Sequence, residues 1–111
     1  MELILNDDQL QQFDTEGWLF FENVFDAEEI ALLNGEAHRI FAMDRAEVFR
    51  ESDGKTARTA FAAQNYNDAF HRLGRHPRLV GPVRQLLGGH VYMHQFKLNA
   101  KAAFNGDVWQ W

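Results

Sequence analysis

A chain of 111 residues, 46% hydrophobic and 24% charged with a formal net charge of −5, suits one small soluble domain or part of a larger one. Ten Phe and three Trp supply aromatic surface that has to be buried, which argues against disorder, and the dispersed basic residues form no phosphate-tracking stripe for nucleic acid. The absence of cysteine excludes a disulfide framework, a thiolate metal site and a cysteine nucleophile, and with no leader in "MELILNDDQL" and no long apolar run the expectation is a cytoplasmic protein without nucleic-acid or membrane partners.

Asn6 as N-cap with Gln9 three residues on, Asp7 and Asp8 in the first turn and Gly17 as a stop predict a short opening helix, with Leu10 and Phe13 on its apolar stripe. The aromatic run "WLFFENVF" then predicts a strand. Asp26 and Glu29 repeat the capping pattern, and Ile30, Leu33, Ala37, Ile40 and Phe41 recur at helical spacing, so the longest helix follows, weakened at Gly35. "EVFRE" and "ARTAFAAQ" flank Ser52-Asp53-Gly54 and predict two extended segments about a turn. "NDAFHRLGRHP" predicts a short helix ending near Gly74 and Pro77. "PRLVGPVRQLLGG" predicts another, from Pro77 to Gly88-Gly89, with Pro82 as a kink or break.

From His90, "HVYMHQFKLNAK" predicts a strand, and "FNGDVWQW" a turn at Asn105-Gly106 into a second one. Alternation puts Gln95, Lys97 and Asn99 on one face and Tyr92, Phe96 and Leu98 on the other. Two readings of the polar face stand: a solvated surface over an aromatic core, or the lining of a barrel cavity whose apolar outer face is covered by helices. The chain also stops inside the last predicted strand, leaving two tryptophans with nothing to complete a sheet, so a truncated chain is expected.

Other residue types point to structure rather than chemistry. The spacing of His71 with His76 suits neither helical nor strand ligand pairs, and His90 with His94 project toward the apolar face, so no metal site is expected from the histidines. Gly88-Gly89 lacks the pattern of a phosphate loop, Ser52 lacks a nucleophile elbow, and Asp7, Asp8, Glu28 and Glu29 favour the dipoles of helix N-termini.

The runs "DQLQQFDTEGWLFFENVFDAEEIALL" and, more specifically, "HQFKLNAKAAFNGDVWQW" resemble the phytanoyl-CoA dioxygenase family of non-haem iron, 2-oxoglutarate-dependent oxygenases, including its ectoine hydroxylase branch. The resemblance implies an α+β fold: N-terminal helices plus the first strands of a double-stranded β-helix (jelly-roll or cupin-like), truncated, with residues 1–111 the N-terminal part of a single oxygenase domain. In that family the tryptophan matching Trp111 is followed at once by a His-x-Asp pair that, with a distant histidine, holds Fe(II). This chain stops there, so the resemblance implies a parent using Fe(II) and 2-oxoglutarate to hydroxylate a small-molecule C–H bond, and a 111-residue chain that is itself inactive. Matched position by position, Asn99 falls where 2-oxoglutarate is hydrogen-bonded and Gln95 where substrate is contacted. Lys97 stands where an arginine is frequent, keeping the charge without the bidentate fork, and Trp109 matches an aromatic wall beside the cosubstrate. Arg58 matches a pocket-lining region and could attract a dicarboxylate; beside a turn it also suits a solvated face. The rival to an enzyme is a non-catalytic jelly-roll-like binding or interaction module, or a small α+β protein with an exposed partner surface.

Overall fold

Local capping chemistry places the helices in this computed structural model, which describes residues 3–104. The first helix, α1 (Asp7–Glu16), opens on the predicted capping box, Asn6 accepting from the Gln9 N–H and Gln9 from the Asn6 N–H. It closes at Gly17 in the left-handed region with φ 82°. The same reciprocal pair at Asp26 and Glu29 opens α2 (Ala27–Phe41). Leu33, Ala37, Ile40 and Phe41 of its predicted stripe reach the core, whereas Ile30 remains 44% exposed.

The strand expected in "WLFFENVF" does not form: residues 18–25 carry no strand pairing. Trp18 and Phe20 are exposed, while Leu19, Phe21 and Val24 line an apolar groove with Phe13, Leu79, Pro82 and Leu86. Burial alternates from Trp18 to Glu22, but the neighbouring element is a helix, which offers no backbone ladder, and Asn23 interrupts the segment with φ 55°.

Two extended segments do pair across Ser52-Asp53-Gly54. Strands β1 (Val48–Arg50) and β2 (Ala57–Phe61) run antiparallel, with Val48 opposite Ala60 and Phe49 opposite Thr59. Asp53 organises the turn, accepting at 2.8 Å from the N–H groups of both Lys55 and Thr56, and the Thr56 hydroxyl beside it holds its carboxyl below the usual range. After β2, Ala62 takes a left-handed conformation (φ 55°) and leads into a 3-10 turn, Ala63–Asn65. Helix α3 (Asp68–Leu73) follows, capped by Asn67, whose amide also donates to Glu36 of α2 at 2.9 Å. Helix α4 (Pro77–Leu87) starts on Pro77 and ends at left-handed Gly88, as predicted. Pro82 does not break it, and its ring is buried in the groove beneath α1.

Strand β3 is shorter than predicted. Only Lys97–Asn99 pairs, antiparallel to β2, completing a sheet of order β1-β2-β3. The partner sets the limit: the last rung joins the Ala62 N–H to the Phe96 carbonyl at 3.0 Å, where β2 turns into the 3-10 segment, so residues 90–95 carry no ladder. The hairpin expected at Asn105-Gly106 lies outside the described residues.

The core lies between the sheet and helices α2 and α3. Ile40, Val48, Ala60, Ala63 and Phe70 are buried there, with Phe96 and Leu98 packed against them. A second junction joins the N-termini of α2 and α4: Arg78 donates to Glu29 through both terminal nitrogens and to the Val24 carbonyl at 2.6 Å, and its guanidinium stacks over Phe25 at 4.6 Å. At the far end of α4 the Gln85 side-chain amide grips both backbone groups of Leu5, accepting from its N–H at 2.7 Å and donating to its carbonyl at 3.3 Å.

The Arg78 hydrogen bond, helped by the Asp26 N–H, pulls the Glu29 carboxyl down from 4.5 to about 2. A carboxylate depressed on folding contributes stability that is complete above its ordinary value and is lost as pH falls toward the folded value. Glu29→Gln keeps a residue able to close the capping box and removes only the charge. The expected result is a Tm below wild type at pH 7, with the difference shrinking as pH is lowered from 4.5 toward 2 in thermal melts. A pH-independent difference would contradict it.

Candidate functional site

The sheet has two unlike faces, and the register assigns residues to them. Val48, Ala60 and Leu98 face the helices. Cross-strand partners share a face, so Phe49 opposite Thr59, Thr59 opposite Asn99 and Phe61 opposite Lys97 all lie on the side away from them. The apolar half of the "FKLN" alternation is therefore turned to the helices, and its polar half to the open face.

On that face the side chains are connected. The Thr59 hydroxyl, in a residue only 4% exposed, donates to Asn99 Oδ1 at 3.0 Å, which orients the Asn99 amide and presents its N–H pair outward. Lys97 Nζ sits 5.5 Å from the centre of the Phe61 ring, and Phe61 meets Phe49 edge-to-face at 5.1 Å. An aromatic floor thus carries one ammonium and one oriented amide. Such a surface can hold an anionic or carbonyl-bearing ligand in place.

Arg58 sits at an irregularity in the ladder. Phe49 pairs with Thr59 but Arg50 pairs with Ala57, so Arg58 is the additional residue of a β-bulge, a device that re-aims a side chain. Its carbonyl accepts from Ala100 N–H at 2.8 Å, and its guanidinium lies 4.0 Å from the carboxylate of Glu51, whose side chain is 6% exposed. Gln95 is exposed in the unpaired stretch ahead of β3, and the ladder does not carry it onto the face with Lys97 and Asn99. Trp109 lies outside the described residues.

The structure therefore brings Lys97 and Asn99 onto one face, sets Arg58 in the same ladder, and has Gln95 exposed just ahead of the paired residues. Sequence reading missed Thr59, Phe61 and Glu51. "ARTAF" does signal a strand, but which of its residues meet β3 depends on a long-range register that no local pattern encodes.

Another concavity lies elsewhere, a groove of about 800 Å³ among α3, α4 and residues 91–96, lined by Leu79, Val83, Leu87, Met93 and Phe96 with Arg75 and His71. It contains none of the sequence-predicted site residues. The histidines have local structural contacts: His71 Nδ1 lies 3.2 Å from the Gln64 carbonyl oxygen, His76 caps α4, and the His94 ring meets Tyr92 edge-on. Among the described residues no cluster of three or more His, Cys, Asp or Glu is disposed to hold a metal ion, and no helix is long and apolar enough to cross a membrane.

An ectoine dioxygenase of Bordetella parapertussis is 35% identical over 111 residues, spanning 96% of this chain and 36% of that protein. An L-proline trans-4-hydroxylase of Streptomyces griseoviridis is 33% identical over 100 residues, spanning 90% of this chain and 37% of that protein. Among solved structures, EctD from S. alaskensis with bound Fe matches at a TM-score of 0.84 and 31% identity, over 92% of this chain and 38% of that one. EctD from S. alaskensis with 2-oxoglutarate and 5-hydroxyectoine matches at 0.83 over the same shares. This chain thus spans little more than a third of the length of these relatives. The family model for phytanoyl-CoA dioxygenase (PhyH) matches residues 13–111, and the chain belongs to that family.

Proposed function

We propose that this chain supplies the helical layer and first sheet of a non-haem Fe(II), 2-oxoglutarate-dependent dioxygenase that hydroxylates a C–H bond of a small molecule, with the open sheet face turned into the cavity of a double-stranded β-helix. The observation that carries the reading is the placement of Lys97 and Asn99 on the face opposite the helices, with Thr59 orienting the Asn99 amide. The family membership and the 2-oxoglutarate and Fe bound in the EctD structures support it.

The residues present fit one cosubstrate and not the metal. Lys97 and Arg58 bring positive charge and Asn99 an amide N–H pair, a donor set suited to a dicarboxylate. Iron is not assigned to any described residue; in this reading its ligands follow the position of Trp111, as the family pattern implies, and no step is routed through it. 2-Oxoglutarate held there would supply two of the four electrons of dioxygen reduction and leave as succinate and carbon dioxide, the substrate C–H bond supplying the other two. Asn99 orients that cosubstrate, Lys97 offsets its charge, and Phe49 with Phe61 excludes water beneath it. Gln95 meets the substrate, and Trp109 walls the cosubstrate.

The experiment is a succinate assay. The complete gene product that contains this segment, incubated with Fe(II), 2-oxoglutarate, dioxygen and either ectoine or L-proline, is expected to form succinate in an iron-dependent manner. The 111-residue chain alone is expected to form no more than a scrambled control. Iron-dependent succinate formation by the short chain, or none by the complete protein even in the uncoupled reaction, overturns the reading.

A further inference from the structure

We propose that Glu51 is a positioning residue for cosubstrate binding: buried at the end of β1, it holds the guanidinium of the bulge residue Arg58 in the direction from which Arg58 meets a carboxylate of 2-oxoglutarate. The inference rests on the function proposed above and adds to it a residue that neither sequence reading nor family resemblance singled out.

Three observations carry it. The Glu51 side chain is 6% exposed, an unusual setting for a carboxylate, and its Oε1 is buried with no hydrogen-bond partner. A buried carboxylate with one oxygen unpartnered is unfavourable for folding alone, which points to work done on a neighbour. That neighbour is Arg58, whose Nη1 lies 4.0 Å from Glu51 Oε2. The third observation is the bulge itself: one extra residue between the Phe49–Thr59 and Arg50–Ala57 pairs takes Arg58 out of strict alternation. The rungs that follow tie this corner to the ligand-facing strand, through Ala100 N–H on the Arg58 carbonyl at 2.8 Å and Thr59 on Asn99 at 3.0 Å.

A long arginine side chain pays rotamer entropy when it closes on a ligand, and a fixed carboxylate at its flank removes most of that cost beforehand. Glu51 touches neither cosubstrate nor substrate in this scheme. It acts through Arg58, so its loss weakens cosubstrate binding and leaves the chemical step intact.

The test uses the complete enzyme with three variants, Glu51→Gln, Arg58→Gln and the double substitution, and reads KM for 2-oxoglutarate, kcat and Tm. Glu51→Gln is nearly isosteric and removes only the charge. The expected result is a KM raised about tenfold with kcat within about twofold of wild type. Arg58→Gln raises KM at least as far, and the double variant goes no further than Arg58→Gln alone, the signature of two residues acting as one unit. Tm of Glu51→Gln stays close to wild type. Unchanged KM, multiplicative effects in the double variant, or a parallel fall of kcat and Tm overturns the assignment while leaving the dioxygenase reading in place. Wild-type enzyme that does not consume 2-oxoglutarate overturns both.

Discussion

Replacing Ile40 with Ala is expected to destabilise the fold by about 4 kcal/mol, near the upper part of the range for large-to-small changes at fully buried sites. Ile40 is completely inaccessible and sits where α2 meets both the sheet and α3, against Val48, Ala60, Ala63 and Phe70. Ala60 and Ala63 have no side chain long enough to fill the space left, so the lost apolar transfer is joined by a cavity that cannot collapse. On the same helix, Ile30 is 44% exposed, and Ile30→Ala is expected to cost under about 1 kcal/mol. Paired urea titrations with unchanged slopes would read the contrast. Similar losses at the two positions would place the core elsewhere.

In the complete protein, Asn99→Ala is expected to raise the KM for 2-oxoglutarate about tenfold, close to the worth of one hydrogen bond to a charged group. Gln95→Ala is expected to change it less than about twofold and to act on the substrate instead. The structure sharpens the separation, since Asn99 is fixed in the ladder and oriented by Thr59, whereas Gln95 lies in the unpaired stretch before β3. Preorganisation is what makes a polar group effective toward a ligand. Steady-state kinetics with 2-oxoglutarate as the varied component measures both variants. Equal effects would remove the division of roles between them.

What could be read beforehand follows from the range of each interaction. The helices were legible because their signals are local: Asn6 with Gln9 and Asp26 with Glu29 lie within one turn, and Gly17 and Gly88 end helices by conformation alone. The turn between β1 and β2 is local too, through Asp53. Strands need a partner, and a single sequence does not name it. "WLFFENVF" has strand composition and settles against helices, while "HVYMHQFKLNAK" has strand alternation and pairs only where β2 provides rungs. The polar alternation at Lys97 and Asn99 was legible as a pattern, yet its orientation depended on Leu98 finding α2 and α3. Arg58 was ambiguous in sequence because a bulge leaves no local mark, and Glu51 was invisible because nothing in "EVFRES" foretells that its carboxylate is buried.

The clasp of Gln85 on Leu5 joins residues 80 positions apart. During synthesis the first helix leaves the ribosome long before the amide that fastens its leading segment exists, so that segment waits undocked while α2, β1 and β2 are made. Closing so long a loop carries a one-time entropic cost that grows only logarithmically with its length. The N-terminal strap therefore docks only after α4 exists to receive it.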